Sequence, residues 1–232
     1  MGKNKISRFA ELKTFSNVIE SDIDEVFTKN HRLKGKWSNE IFENNKPIIL
    51  ELGCGKGEYT IKLAEKYPDK NFIGIDIKGA RMWVGARHAI EYGLKNVLFL
   101  RTKIEFISSF FKNEEIDEIW ITFPDPQETR NRKNKRLTSS FFLNKYKCFL
   151  KRDGIINLKT DNSKLFNYTL NLAKKNNFKI LTWTNNLYHS DHIDKTHEIK
   201  TFYEQMFLNE GKPIHYIQFT LEGNENIEEI EE

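Results

Sequence analysis

Ile48 to Thr60, reading IILELGCGKGEYT, constrains the fold more than any other stretch of the chain. An apolar run, Ile48-Ile49-Leu50, passes through Glu51 and Leu52 into Gly53-Cys54-Gly55-Lys56-Gly57. Tyr59, Ile61, Leu63, Ala64 and Tyr67 then recur at helical spacing. The pattern predicts a buried strand, a glycine turn and a helix N-terminus, the opening unit of a doubly wound α/β sheet. Glycines suit such a turn because it needs positive φ, and because a ligand lying on bare backbone would clash with a Cβ.

Two details narrow the ligand. The spacing is G-x-G-x-G, whereas the dinucleotide fingerprint of NAD enzymes is G-x-G-x-x-G. Glu51 places a carboxylate two residues before the first glycine. An acid there would repel a pyrophosphate but would suit an ammonium or a sulfonium group. S-adenosylmethionine carries both.

A chain of 232 residues suits one α/β domain, and 38% hydrophobic with 30% charged residues is a globular composition. No stretch reads as a membrane span, and MGKNKISRFA lacks the apolar core of a signal peptide, so a cytoplasmic home is expected. Cys54 and Cys148 have no metal-ligand spacing. With a net charge of only +4, the distribution of charge matters more than its total. The expected organisation is a basic N-terminal arm over residues 1–47, a catalytic domain over 48–223 and an acidic, disordered tail over 224–232. Within the arm, Val18, Ile19, Ile23, Val26 and Phe27 suggest a short helix capped by Ser21 or Asp22. Lys34-Gly35-Lys36-Trp37 fits a mobile basic arm with an aromatic anchor and a packing tryptophan equally well.

Further strands are expected at Asn71–Ile77, Asn96–Thr102, Ile116–Phe123, Ile155–Lys159, Phe178–Trp183 and His215–Leu221, giving a mostly parallel, seven-stranded sheet. Asp76 falls one βαβ step beyond the glycines, where an acid can accept ribose hydroxyls. Pro124-Asp125-Pro126 follows the fourth strand, at the carboxyl end where open sheets bind ligands. Asp153-Gly154 reads as a turn into the fifth strand, which ends at Lys159-Thr160-Asp161. Arg130, Arg132, Lys133, Lys135 and Arg136 form the densest basic run, and its position beside Asp125 suggests a phosphate-binding loop. His189, His192 and His197 lack the regular spacing of a metal site, so no metal is expected.

These motifs together resemble the bacterial tRNA guanine-N7 methyltransferases, S-adenosylmethionine-dependent enzymes of the class I, Rossmann-like fold. The matching pieces are ELGCGKGEYT, GIDI, FPDP, KRLT, LKTDN and TFYEQMF with GKPIHY, in that order from Lys34 to Tyr216. The resemblance implies methyl transfer to N7 of a guanine in the tRNA variable loop, with tRNA as partner, no membrane, and a monomer or homodimer. It implies a cofactor set of Glu51, Gly53, Gly55, Asp76, Thr102, Lys103 and Asp125, with Asp125 as the catalytic acid. It also implies substrate contacts from Thr129, Arg130, Asp161, Thr201, Phe202, Tyr203 and Glu204. Two positions depart from the family pattern. Thr129 stands where a substrate-binding lysine is expected, and Arg130 is the available replacement. Lys103 cannot accept a hydrogen bond from an adenine amine, which leaves backbone contact there.

The chemistry fits the same residues. Guanine N7 has a free lone pair, so no base need deprotonate it, and catalysis becomes alignment plus stabilisation of developing positive charge by carboxylates. One carboxylate, from Asp161 or Glu204, could accept both N1–H and the 2-amino group of guanine. A methyltransferase for exocyclic amines would show N/D-P-P-aromatic after the fourth strand, and Phe123-Pro124-Asp125-Pro126 does not match. A non-catalytic tRNA-binding protein would need the basic run but not the acids.

Overall fold

Every residue of strand β2, Ile48–Leu52, is buried, as a parallel strand covered on both faces requires. The computed structural model describes residues 2–21, 26–27, 29–191, 198–221 and 226–231. The chain divides into two compact units, Met1–Glu115 and Ile116–Glu232.

The first unit carries helix α1 (Gly2–Leu12), β1 (Val18–Glu20), β2, α2 (Glu58–Lys66), β3 (Asn71–Asp76), α3 (Gly79–Glu91) and β4 (Val97–Arg101). Its strand order is β1-β4-β3-β2, and every neighbouring pair is parallel. Val18–Glu20 is therefore not helical as expected but an edge strand in register with Phe99–Arg101. Its β-branched Val18 and Ile19 fit a pleated edge, and Arg101 reaches Glu20 at 3.1 Å across the pair. Of the rest of the expected helix, Val26 and Phe27 are helical, while Asp22 and Ile23 lie outside the described residues. Further along, the Trp37 indole is fully buried and donates to the Phe110 carbonyl at 2.8 Å. The Glu115 carboxylate accepts from Gly35 N at 3.0 Å and from Lys112 N at 2.8 Å. This region packs into the first unit through its tryptophan.

The second unit carries β5 (Ile116–Thr122), α4 (Ser140–Lys147), β6 (Leu150–Thr160), α5 (Ser163–Lys175), β7 (Ile180–Thr184), α6 (Phe202–Asn209) and β8 (His215–Thr220). Its order is β5-β6-β8-β7; β5 and β6 are parallel, while β8 is antiparallel to both β6 and β7. Asp153-Gly154 is not a turn before a short strand. It lies within β6, whose register against β5 jumps from Ile116↔Leu150 to Glu118↔Ile155. Among the described residues there are eight strands against the expected seven, the addition being β1. α5 buries Leu165, Phe166, Thr169, Leu172 and Ala173 along one face, the spacing of an amphipathic helix.

The tail differs from its expected disorder over residues 226–231. Ile227 is buried, and Asn144 holds its backbone at both ends, donating to Ile227 O and accepting from Ile227 N at 3.0 Å each. Asn176 grips Glu228 the same way, at 2.9 and 2.8 Å. Side-chain amides thus satisfy backbone groups that an extended segment leaves unpaired.

Candidate active site

The residues expected to meet a ligand fall into two clusters, one in each unit. In the first, the three turn glycines all have positive φ: Gly53 at 77°, Gly55 at 58° and Gly57 at 75°. Two of them serve different ends. A Cβ on Gly57 would lie 2.5 Å from the Phe99 ring, so this glycine lets turn and sheet approach closely. A Cβ on Gly55 would meet nothing nearer than 4.0 Å, so its outer side is open to a ligand.

Two carboxylates bracket that turn. Glu51 Oε2 accepts from Thr60 N at 2.9 Å and from the Thr60 hydroxyl, which ties the end of β2 to the first turn of α2. Asp76 Oδ2 accepts from Gly55 N at 2.9 Å, and its Oδ1 accepts from Lys78 N at 2.8 Å. Burial, then Glu51 and Asp76, push the Cys54 thiol well up and keep it neutral. The local field is therefore negative. A carboxylate offers about four acceptor positions, so Asp76, with these two bonds, keeps capacity for ligand donors. A positive φ turn with an open face beside two acids fits the ammonium and ribose hydroxyls of S-adenosylmethionine. Thr102 is buried at the end of β4, and exposed Lys103 continues in extended backbone before a 3-10 turn over Ile104–Ser109.

The second cluster gathers the carboxyl ends of β5 and β6. Asp125 is exposed, and its Oδ1 accepts from Gln127 N at 3.1 Å. On either side, Phe123 and Gln127 have φ of 48° and 47°, conformations that cost energy for such side chains and are retained where surrounding structure enforces them. Phe123 N donates to Lys159 O at 2.8 Å, which pins the start of the loop to β6. Beyond the loop, Glu128 accepts from the Asn162 amide at 2.8 Å. Asn162 Oδ1 also caps α5, accepting from Leu165 N at 2.9 Å. The cap is thus Asn162, while Asp161 beside it is half-buried. Asp161 lies close enough to hold the His215 imidazole and the Lys212 ammonium in its field.

Glu204 is fully enclosed. Its Oε1 lies 2.6 Å from Lys159 Nζ and accepts from the Tyr188 hydroxyl at 2.7 Å. With Thr201 it forms a reciprocal capping box at the start of α6. Burial and the Glu204 carboxylate push the Tyr188 phenol far up, so it remains a donor. Phe202 and Tyr203 are exposed, their rings edge-to-face at 5.8 Å. Lys159, Tyr188 and Asn162 were not singled out from the sequence. A lysine inside a buried strand end was the available signal.

The basic run divides. Arg130 and Arg132 are exposed, as are Thr129 and Lys135. Arg136 is buried, with its guanidinium 4.3 Å over the Tyr168 ring and its Nε donating to Gln127 O at 3.4 Å. It belongs to the loop's interior and not to a phosphate-binding face. Lys133 Nζ donates to Ile230 O at 3.1 Å. Among the described residues no group of His, Cys, Asp or Glu could hold a metal, and no helix is long and apolar enough to cross a membrane. His192 and His197 lie outside those residues.

A family model described as "Putative methyltransferase" matches residues 45–217. A tRNA (guanine-N(7)-)-methyltransferase of Christiangramia forsetii is 52% identical over 220 residues, covering 94% of this chain and 98% of the relative. One of the same name from Bacteroides thetaiotaomicron is 49% identical over 221 residues, covering 95% of this chain and 87% of the relative. Among solved structures, the 16S rRNA methyltransferase KamB matches at a TM-score of 0.61 and 11% identity, over 82% of this chain and 94% of that one. An antibiotic-related methyltransferase matches at 0.59 and 20% identity, over 83% and 96%. At those identities the likeness is one of fold, and the fold is that of class I methyltransferases.

Proposed function

Because the chain belongs to the tRNA (guanine-N(7)-)-methyltransferase family, we propose that it transfers the methyl group of S-adenosylmethionine to N7 of a guanine in the tRNA variable loop, as a cytoplasmic enzyme. The observation that carries this reading is that the glycine turn, Asp76, Asp125 and Asp161 all stand at carboxyl ends of strands. S-adenosylmethionine supplies an electrophilic methyl on a sulfonium. Gly53 and Gly55 give it bare backbone, open on the outer side at Gly55, Thr102 and Lys103 offer it backbone groups, Glu51 attracts its ammonium, and Asp76 accepts its ribose hydroxyls.

Asp125, held by Gln127 N and by the strained residues flanking it, presents a carboxylate toward the positive charge that develops on the base as N7 attacks. Oriented charge of this kind stabilises a transition state without reorganising during it. Asp161 accepts N1–H and the 2-amino group of guanine, a donor pair adenine lacks. Phe202 and Tyr203 offer exposed rings for the base, while Glu204 acts from inside, fixing Thr201–Tyr203 through Lys159. Arg130 and Arg132 take phosphates, with Thr129 as a hydroxyl neighbour. The test is purified protein with labelled methyl donor and bulk unmodified tRNA, followed by nucleoside analysis. Label in 7-methylguanosine supports the reading; label only in another nucleoside, or none, overturns it.

A further inference from the structure

Glu229 lies in the acidic tail, yet its carboxylate is built into the second unit. Oε2 accepts from Ser140 N at 3.2 Å and from Ser140 Oγ at 2.9 Å. Oε1 accepts from the Tyr168 hydroxyl at 2.7 Å and from Ile230 N at 3.1 Å. The N-cap of α4, Ser139, makes no side-chain capping bond of its own. Glu229 therefore supplies the anionic cap from the far end of the sequence, at the helix end where negative charge is favoured.

The contacts continue past Tyr168. Its ring carries the Arg136 guanidinium at 4.3 Å, Arg136 Nε donates to Gln127 O, and Gln127 N donates to Asp125 Oδ1. A second tie runs from Lys133 Nζ to Ile230 O. The loop that bears Asp125, Arg130 and Arg132 is thus tied to residues 229–230 directly at Lys133 and, through Tyr168 and Arg136, at Gln127. An acidic segment that merely competed with RNA would cover the exposed cations. Here it engages Lys133 and Lys175, whose Nζ donates to Glu229 O at 2.8 Å. Arg130 and Arg132 stay exposed.

We propose that Glu229 is a positioning residue for the transfer, setting through Tyr168 and Arg136 the course of the 125–136 loop that presents Asp125 and the exposed basic side chains to tRNA. The inference rests on the function proposed above. A double-mutant cycle measures the energetic coupling along these contacts.

The test compares the full chain with Glu229→Ala, Glu229→Gln and Tyr168→Phe. The last keeps the ring beneath Arg136 and removes only the donor to Glu229. Hydrogen bonds to a charged group are strong enough that Glu229→Ala is expected to raise KM for tRNA about tenfold, with kcat lowered less and methyl-donor affinity unchanged. Tyr168→Phe is expected to give a smaller effect in the same direction, and the double variant no more than Glu229→Ala alone. Trypsin provides a readout independent of activity: cleavage at Arg130, Arg132 and Lys135 should accelerate in Glu229→Ala and Tyr168→Phe. If all variants melt lower but keep wild-type KM and wild-type trypsin rates at these sites, Glu229 is merely structural and the proposal fails. Should Glu229→Ala not fold, Glu229→Gln and Tyr168→Phe decide it by the same criteria. A wild-type protein inactive on tRNA would remove the proposed function, and the trypsin comparison would still accept or reject the tie to the loop.

Discussion

Lys159 Nζ stands 2.6 Å from Glu204 Oε1, and neither side chain has any exposed surface. The pair joins the end of β6, one residue before Thr160-Asp161, to the first turn of α6, directly after Thr201–Tyr203. Lys159 Nζ also reaches Ile199 O at 3.4 Å. Burying an ion pair gains little over a well-packed apolar pair, but removing one member strands a charge, which costs about 3–5 kcal/mol. Lys159→Met should therefore destabilise the protein by about that amount, and Lys159→Met with Glu204→Leu should recover much of it. Denaturant midpoints of both single variants and the double variant measure this. Additive losses would mean that the two charges do not depend on each other.

Methyl-donor binding should depend on Asp76. Its Oδ2 orders Gly55 N and is the expected acceptor for ribose, so Asp76→Ala removes a charge-assisted contact along with the turn's own brace. Donor affinity should fall roughly tenfold to a hundredfold by calorimetry, with no binding of NAD by either protein. Unchanged donor affinity in Asp76→Ala would place the nucleoside elsewhere.

The basic run should act unequally. Each phosphate neutralised adds about 0.7–0.9 to the slope of log affinity against log salt. Arg130→Ala and Arg132→Ala should each flatten that slope for tRNA. Arg136→Ala should lower stability and flatten the slope less than either, because its guanidinium is buried on Tyr168 and acts only through the placement of the loop. Equal slope changes for Arg130 and Arg136 would show that burial does not sort this run.

His215 should make stability depend on pH. It is buried and stacked on Phe166, and burial pulls its pKa below the ordinary 6.5 against the raising effects of an Asn185 backbone bond and Asp161. With the folded value depressed, the unfolded chain binds a proton that the folded chain refuses. The stability from neutral His215 is complete above about pH 6.5 and is lost as the pH falls through the depressed folded value. His215→Phe should therefore melt with a shallower pH dependence than wild type between pH 7.5 and 5. Parallel curves would assign the dependence to other groups.

Residues 48–60 were legible because one sequence had to satisfy strand burial, positive φ and helix period together. The parallel strands after it read almost as well, being apolar on both faces. Val18–Glu20 did not, since three residues are too few for any period to tell strand from helix, and its pairing with β4 is a tertiary fact. Arg136 and Arg130 look alike in sequence; only the Tyr168 ring separates them. Glu204 could be read as a base-recognising acid because nothing local announces Lys159 as its partner. The tail misled through composition: acidic residues suggest solvation, whereas Asn144, Asn176 and Ser140 supply specific partners for residues 227–229.

Asp161 carries the sharpest chemical inference. It is half-buried next to the Asn162 cap, and the helix-capping duty falls to Asn162, which leaves the Asp161 carboxylate for a ligand's donors. If it accepts N1–H and the 2-amino group together, the target guanine must leave its stack and enter the site, as enzymes acting on stacked bases require. Inosine keeps N7 and N1–H but lacks the 2-amino group, so it should lose one charge-assisted hydrogen bond. That corresponds to about 1.5–3 kcal/mol, or roughly tenfold to a hundredfold in kcat/KM. Asp161→Asn should slow guanine and narrow its advantage over inosine, because the amide cannot accept both donors on equal terms. Glu204→Gln should lower stability while keeping the preference, since Lys159 and Tyr188 already hold that carboxylate. Competition between tRNAs bearing guanosine or inosine at the target position measures the ratio directly. A ratio unchanged in Asp161→Asn but collapsed in Glu204→Gln would transfer base recognition to Glu204 and require the buried pair to open when tRNA binds.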